Sequence, residues 1–192
     1  MKTVWVINNF SQSDLEWVKE YEPDDVIIYD KKDKNFGYNI YDYLDYIVKN
    51  YDFLPEICFF VKGNMLERHI TKQEFVKLVN NKTFTPLLTQ NHATYMPVCY
   101  YHDGLYYERN DSWYMFEHER KHFSTYNEFA DIMGLPKTEY LGFAPGACYI
   151  VPRENILKRS KEFYQKLLSF VDYCQLPAEA HAIERALYTI WL

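Results

Sequence analysis

The chain has 192 residues, 48% of them hydrophobic and 25% charged, a balance that fits one folded domain and excludes both a disordered chain and a fibrous repeat. Its 21 basic and 27 acidic residues give a net charge of -6, which opposes adhesion to nucleic acid or to an anionic membrane surface and leaves room only for a small basic pocket. The longest apolar runs, such as Ile57 to Val61, fall far short of the roughly 20 residues of a membrane helix, and the first residues enter a strand, so a cytoplasmic protein with no transmembrane segment and no nucleic-acid partner is expected.

Thr3 to Ile7 reads as a buried strand that stops at the polar pair Asn8-Asn9. Ser13 and Glu16 form a capping-box pattern, and Leu15, Val18 and Tyr21 share one face before Pro23, which predicts a helix of about two turns. Val26 to Tyr29 is a second strand, halted at Asp30 in the polar run Asp30-Lys31-Lys32-Asp33-Lys34. Ile40, Tyr43, Leu44, Ile47 and Val48 recur at helical spacing and predict an amphipathic helix. Leu54-Pro55 turns the chain into a third strand, Ile57 to Val61, which ends in Lys62-Gly63-Asn64. The alternation of strand and helix predicts an α/β domain with a mostly parallel mixed sheet, right-handed crossovers and helices on both faces.

Thr71 and Glu74 cap a further helix to Asn80, with Phe75, Leu78 and Val79 inward. Residues 84–124 carry many aromatic side chains with no sustained period. They are expected to form an irregular insertion over the sheet, with short strands at Met96 to Tyr101 and Leu105 to Glu108 joined tightly at Gly104. Thr125 to Met133 is a capped helix closed by Gly134 and Pro136. Ala147 to Val151 is another strand, Ser160 to Cys174 a helix with Phe163, Leu167, Phe170 and Val171 inward, and Pro177 to Trp191 a last helix. No repeat or linker divides residues 1–192, so a single domain is expected.

Cys58, Cys99, Cys148 and Cys174 are scattered in apolar surroundings, a pattern of reduced core thiols rather than of zinc or a redox pair. The turn after the first strand, Asn8-Asn9-Phe10-Ser11, holds no glycine, which speaks against NAD and SAM enzymes. Neither a phosphate-binding glycine loop nor a G-x-S-x-G elbow is present. NAD, SAM, haem and structural zinc are all expected to be absent. Ligands of open α/β sheets bind beyond the carboxyl ends of the strands, and there the sequence places Asn8-Asn9, Asp30 and Lys62-Gly63-Asn64. Plain capping of strand ends explains each of these equally well. The 19% aromatic content, carried by 19 Tyr, 13 Phe and 4 Trp, suits sugar-binding faces, and equally an AT-rich coding sequence.

Asn35-Phe36-Gly37-Tyr38-Asn39 with Tyr43-Leu44, Asn50-Tyr51-Asp52-Phe53-Leu54-Pro55, and Phe59-Phe60-Val61-Lys62-Gly63-Asn64 with His69 resemble a family of glycosyltransferase-like domains of unknown function. Its pattern reads N-x-G-R-E, Y-L, N-Y-D-x-L-P and F-L-x-G-N-P-x-x-H. Phe143-Ala144-Pro145-Gly146-Ala147-Cys148-Tyr149-Ile150-Val151, Phe163-Tyr164 and Glu184-Arg185 are similar to its later F-x-P-G-A-x-F-x-V, F-Y and E-R signatures, in the same order. The chain departs from the pattern at Tyr38-Asn39, where the family has Arg-Glu, and at Met65, where it has Pro.

The resemblance implies a Rossmann-like, GT-A-like fold and transfer of a sugar from a nucleotide-sugar donor, expected to be a UDP-sugar, to a hydroxyl of a glycan or other acceptor. Such transfer needs an anchor for the nucleoside, neutralisation of the departing diphosphate and a base for the acceptor. Asn8, Asn9 and Asp30 are the candidate nucleoside anchors, with Asn35 and Gly37 of the N-x-G motif and Gly63 and Asn64 completing the donor set. The usual Asp-x-Asp for a divalent ion is missing after the third strand, so Lys62 is the expected substitute and His69 the expected donor to the leaving phosphate. Asn64, Glu67 and His69 either form a weak Mn2+ or Mg2+ site or cap a turn.

His181 and Glu184 share a face of the last helix, beside the stripe Ile183, Leu187 and Ile190. Glu184 is thus either the catalytic base or half of an ion pair with His181 or Arg185. Asp111, with Asp103 and Glu108, is either the alternative base or solvated loop charge, and Tyr106, Tyr107 and Trp113 either stack on an acceptor sugar or pack beneath the loop. Two other functions fit the same sequence: a non-catalytic nucleotide-sugar or glycan-binding protein, and an assembly subunit that uses its aromatic loop against a partner.

Overall fold

A computed structural model describes residues 2–10, 13–30, 35–89 and 99–192, with only the backbone of Glu67 and Cys99. The first half runs β1 (Thr3–Asn8), α1 (Glu16–Lys19), β2 (Asp25–Tyr29), α2 (Tyr38–Asn50), β3 (Ile57–Lys62), α3 (Met65–Arg68) and α4 (Lys72–Leu78). The second half runs β4 (Thr85–Pro86), β5 (Cys99–His102), β6 (Leu105–Arg109), α5 (Tyr126–Met133), β7 (Tyr140–Phe143), β8 (Tyr149–Pro152), α6 (Arg153–Ile156), α7 (Lys161–Ser169) and α8 (Ala178–Trp191).

Five strands form one mixed sheet in the order β2-β1-β3-β8-β4. β1 is parallel to β2 and β3, while β8 is antiparallel to β3 and β4, so one reversed strand interrupts an otherwise parallel set. The register sets Asn8 level with Tyr29 on one side and with Lys62 on the other. Alternation along the strands divides the core. Val4, Val6, Cys58, Phe60, Tyr149 and Val151 join residues of α2, α7 and α8 on one face. Trp5, Ile7, Phe59, Val61 and Ile150 pack with Val18 of α1 and Phe75 of α4 on the other. Flat aromatic contacts fill both layers: Phe60 stacks on Trp191 at 5.2 Å, and Trp5 on Phe59 at 4.8 Å.

Part of the expected irregular insertion is regular. β5, β6 and β7 form a second, antiparallel sheet. Asp103 (φ +48°) and Gly104 (φ +79°) supply the two left-handed residues of a tight hairpin turn. The sequence gives no sign of β7, and the expected strand from Met96 is described only from Cys99. Tyr106, Leu141 and Phe143 of this sheet belong to the same core cluster as Val6 and Phe60.

The caps expected at Thr71 and Thr125 form, each hydroxyl accepting the backbone N–H of the glutamate three residues on, and Ser160 caps α7 by accepting the Phe163 N–H. The Ser13–Glu16 cap does not form: Asp14 Oδ1 accepts the Glu16 N–H at 2.9 Å instead, and α1 is a single turn. α7 stops at Ser169, short of the expected Cys174, and buries Tyr164 rather than Phe163. Cys58 and Cys148 are buried and free, and Cys174 is partly buried. Among the described residues no helix is long and apolar enough to cross a membrane.

Candidate functional site

The connection from β1 to β2 carries α1 over one face of the sheet, and that from β2 to β3 carries α2 over the other. Crossovers therefore part beside β1, a geometry that opens a crevice at the carboxyl ends of the strands. A cavity of about 200 Å³ lies here. Lys62 ends β3, and Arg68 and His69 come from α3 and its end. His181, Glu184 and Arg185 come from α8, and Asn39 from the first turn of α2. Tyr38, Tyr106, Trp113 and Phe143 contribute aromatic faces.

Gly146, in the loop between β7 and β8, ties these segments together. Its N–H donates to Glu184 Oε1 at 2.6 Å, and its carbonyl accepts from Asn39 Nδ2 at 2.9 Å. A Cβ at this position would lie 2.4–2.7 Å from three atoms of the His69 ring, and φ is +89°. Only glycine allows both the conformation and the approach. Positions 39, 69, 146 and 184, far apart in sequence, thus meet around one residue. Tyr38 also holds a left-handed backbone, φ +53°, directly after Gly37 at +58°; such conformations cluster at binding sites.

Among the described residues the cavity's carboxylates, Glu108 and Glu184, are both engaged. Glu108, wholly buried, receives a bidentate pair from Arg185 Nε and Nη2 and a 2.8 Å hydrogen bond from Trp113 Nε1. The Arg185 guanidinium lies 4.0 Å from the Tyr114 ring centroid. Glu184 Oε2 faces Arg185 Nη1 at 3.5 Å and His181 Nδ1 at 3.8 Å. Burial pushes the Glu184 carboxyl up, but the His181 ring, the charge of Arg185 and the Gly146 N–H pull it down further, to about 2. Glu184 is therefore a fixed anion that anchors the Gly146 loop, and too weak a base for an acceptor hydroxyl. His181 stacks on His118 at 4.8 Å; burial and the neighbouring His181 lower the pKa of His118. Lys62 and Arg68 form no ion pair among the described residues.

Of the expected site residues, Lys62, His69, His181 and Glu184 line the cavity, as do Glu108, Tyr106 and Trp113 of the alternatives. The expected nucleoside anchors do not. Asn8 is buried and donates to Asp42 Oδ2. Asn9 donates to the Ser13 carbonyl at 3.4 Å, and Asp30 is exposed. Asn35 is partly buried away from the cavity wall. Gly37 is structural: its N–H donates to the Cys174 carbonyl, and a Cβ there would lie 2.6 Å from the Val171 carbonyl oxygen. Gly63 accepts from Trp17 Nε1 at 3.1 Å, and Asn64 precedes α3 without a side-chain cap. Asp111, the alternative base, is exposed and accepts the Trp113 N–H at 3.3 Å, so it shapes a turn. Asn9 is thus taken up by its own loop, as strand-end capping describes, whereas Asn8 and Gly63 are held by the helices α2 and α1.

Arg68, Asn39 and Gly146 are polar or backbone contributors among the lining residues that the reading of the sequence did not nominate. Asn39 and Gly146 both lie inside motifs of the noted resemblance, which is the signal that marked them. Among the described residues no three His, Cys, Asp or Glu side chains converge as a metal site. Of the expected set Asn64, Glu67 and His69, only His69 is seen to line the cavity; the Glu67 side chain lies outside the described residues. The family model described as "Protein of unknown function (DUF3431)" matches residues 5–192. No curated protein and no solved structure matches the chain.

Proposed function

We propose, for a chain that belongs to the DUF3431 family of unknown function, that it is a GT-A-like glycosyltransferase moving a sugar from a nucleotide-sugar donor, a UDP-sugar, to a hydroxyl of a glycan or similar acceptor. The observation that carries this reading is the convergence of Asn39, Lys62, His69, Gly146 and Glu184 on one cavity at the carboxyl ends of the central strands. A mixed sheet with the crevice beside β1 supports the GT-A-like assignment, and the buried free thiols of Cys58 and Cys148 support a cytoplasmic setting.

In the proposed reaction the anomeric C–O bond to the diphosphate breaks, a new bond forms to the acceptor oxygen, and the acceptor proton passes to a base. Lys62 and Arg68 face the departing anion, and the cavity's aromatic rings offer flat surfaces to a pyranose. With both lining carboxylates among the described residues engaged, the proton acceptor is an imidazole, His69 or His181. Thermal-shift and calorimetric titration with UDP-sugars, with and without manganese, together with a donor-hydrolysis assay, test this. Donor binding stabilises the fold by mass action; absence of a shift with every nucleotide sugar refutes the reading. The full engagement of Glu108 and Glu184 favours a second reading, a non-catalytic nucleotide-sugar-binding protein. Tight binding without turnover identifies it.

A further inference from the structure

We infer that the cavity holds a diphosphate group through two side-chain cations, Lys62 and Arg68, with no divalent ion between protein and anion. This deepens the donor-site reading above and rests on it for the identity of the diphosphate. Divalent ions of the magnesium class are held by oxygen ligands, chiefly carboxylates that are free to turn toward the metal. Among the described residues the lining carboxylates are Glu108 and Glu184, and neither is free. Turning Glu108 toward an ion would break the bidentate Arg185 pair and the Trp113 hydrogen bond and leave a buried guanidinium alone. Turning Glu184 would release the Gly146 loop.

The cations point to the same conclusion. Lys62 ends β3 and is partly buried, while Arg68 ends α3 and is exposed. Both line the cavity, and neither pairs with an acid among the described residues. In a chain of net charge -6, the described lining charges, Lys62, Arg68 and Arg185 against Glu108 and Glu184, leave one net positive charge at the recess, a local field that draws an anion and repels a dication. The two side chains also divide the task. A guanidinium meets two phosphate oxygens in its plane, and an ammonium acts as a point charge.

The test is calorimetric titration of the whole chain with inorganic pyrophosphate, once in EDTA and once with magnesium, followed by the same titrations on Lys62→Ala, Arg68→Ala and Arg68→Lys. Because neither side chain is part of the core, thermal unfolding of each variant is expected to match the parent. Pyrophosphate is expected to bind in EDTA, with affinity changed by less than about twofold on adding magnesium. Each alanine variant should lose about tenfold or more, as removal of a charge-assisted contact requires, with a smaller loss for Arg68→Lys. Binding only in magnesium, binding that survives both alanine substitutions, or no binding in either buffer overturns the inference. Metal-free pyrophosphate binding in a chain that ignores every nucleotide sugar keeps this subsite and removes the donor reading, so the two fail separately.

Discussion

Gly146→Ala is the sharpest probe of the cavity, because its cost can be worked from two separate features of the structure. At φ +89° an alanine bears left-handed backbone strain of about 1–2 kcal/mol. The added Cβ also lies 2.4, 2.5 and 2.7 Å from atoms of His69, whose ring is almost fully buried, so the imidazole must leave its seat at an overpacking cost of about 1–3 kcal/mol. The total, about 2–5 kcal/mol, corresponds to a fall in Tm of roughly 4–20 °C for a chain of this size. Gly134→Ala is the internal control. Gly134 has φ +63° with nothing within 4 Å of the new Cβ, so it reports the backbone strain alone. Urea unfolding of both variants separates the two contributions. A third chain, His69→Ala with Gly146→Ala, should be less destabilised than the sum of its parts by about 1 kcal/mol or more, since the ring that obstructs Cβ is gone. Equal costs at positions 146 and 134, or strict additivity of the pair, would refute the close packing of His69 on Gly146.

The depressed pKa of Glu184, about 2 against an ordinary 4.5, contributes stability that is fully present above about pH 4.5 and is lost as pH falls toward 2. It amounts to about 3 kcal/mol, and acid unfolding of Glu184→Gln should lack that portion of the slope. Arg185→Met leaves the wholly buried Glu108 without its partner and should cost about 3–5 kcal/mol in urea unfolding, with much of the loss recovered when Glu108→Leu is added. Thr125→Ala removes the hydroxyl that accepts the Glu128 N–H and should cost about 1 kcal/mol, while nucleotide-sugar and pyrophosphate binding stay unchanged.

What the sequence reveals and what it hides follow the range of the interactions involved. β1, β3 and α2 are legible because each carries its own pattern: continuous apolar runs for buried strands, and Ile40, Tyr43, Leu44 and Ile47 on one helical face. The caps at Thr71 and Thr125 are legible because donor and acceptor sit three residues apart. β7 is hidden because four residues that include Gly142 carry little periodicity, and the strand exists only through its pairing with β6. The cavity shows the same division. Lys62 and His69 could be named from residue type and place. The bonds that fix the site's geometry span 107 residues from Asn39 to Gly146 and 77 from Arg185 to Glu108, and no local pattern encodes them. Asn8 lies off the described cavity lining for a related reason: a sequence shows that an amide is present, not that Asp42 already holds it.

α8 serves as a shared beam. At its far end Trp191 lies flat on Phe60 at the centre of the large sheet, and two to three turns earlier, about 10–15 Å along the axis, the same rod presents His181, Glu184 and Arg185 to the cavity. A rigid helix transmits tilt, so a smaller side chain at position 60 or 191 would swing the Glu184 end and loosen its hold on Gly146 without touching any group that meets a ligand. The geometry of the cavity is thereby coupled to the packing of two aromatic rings that lie outside it.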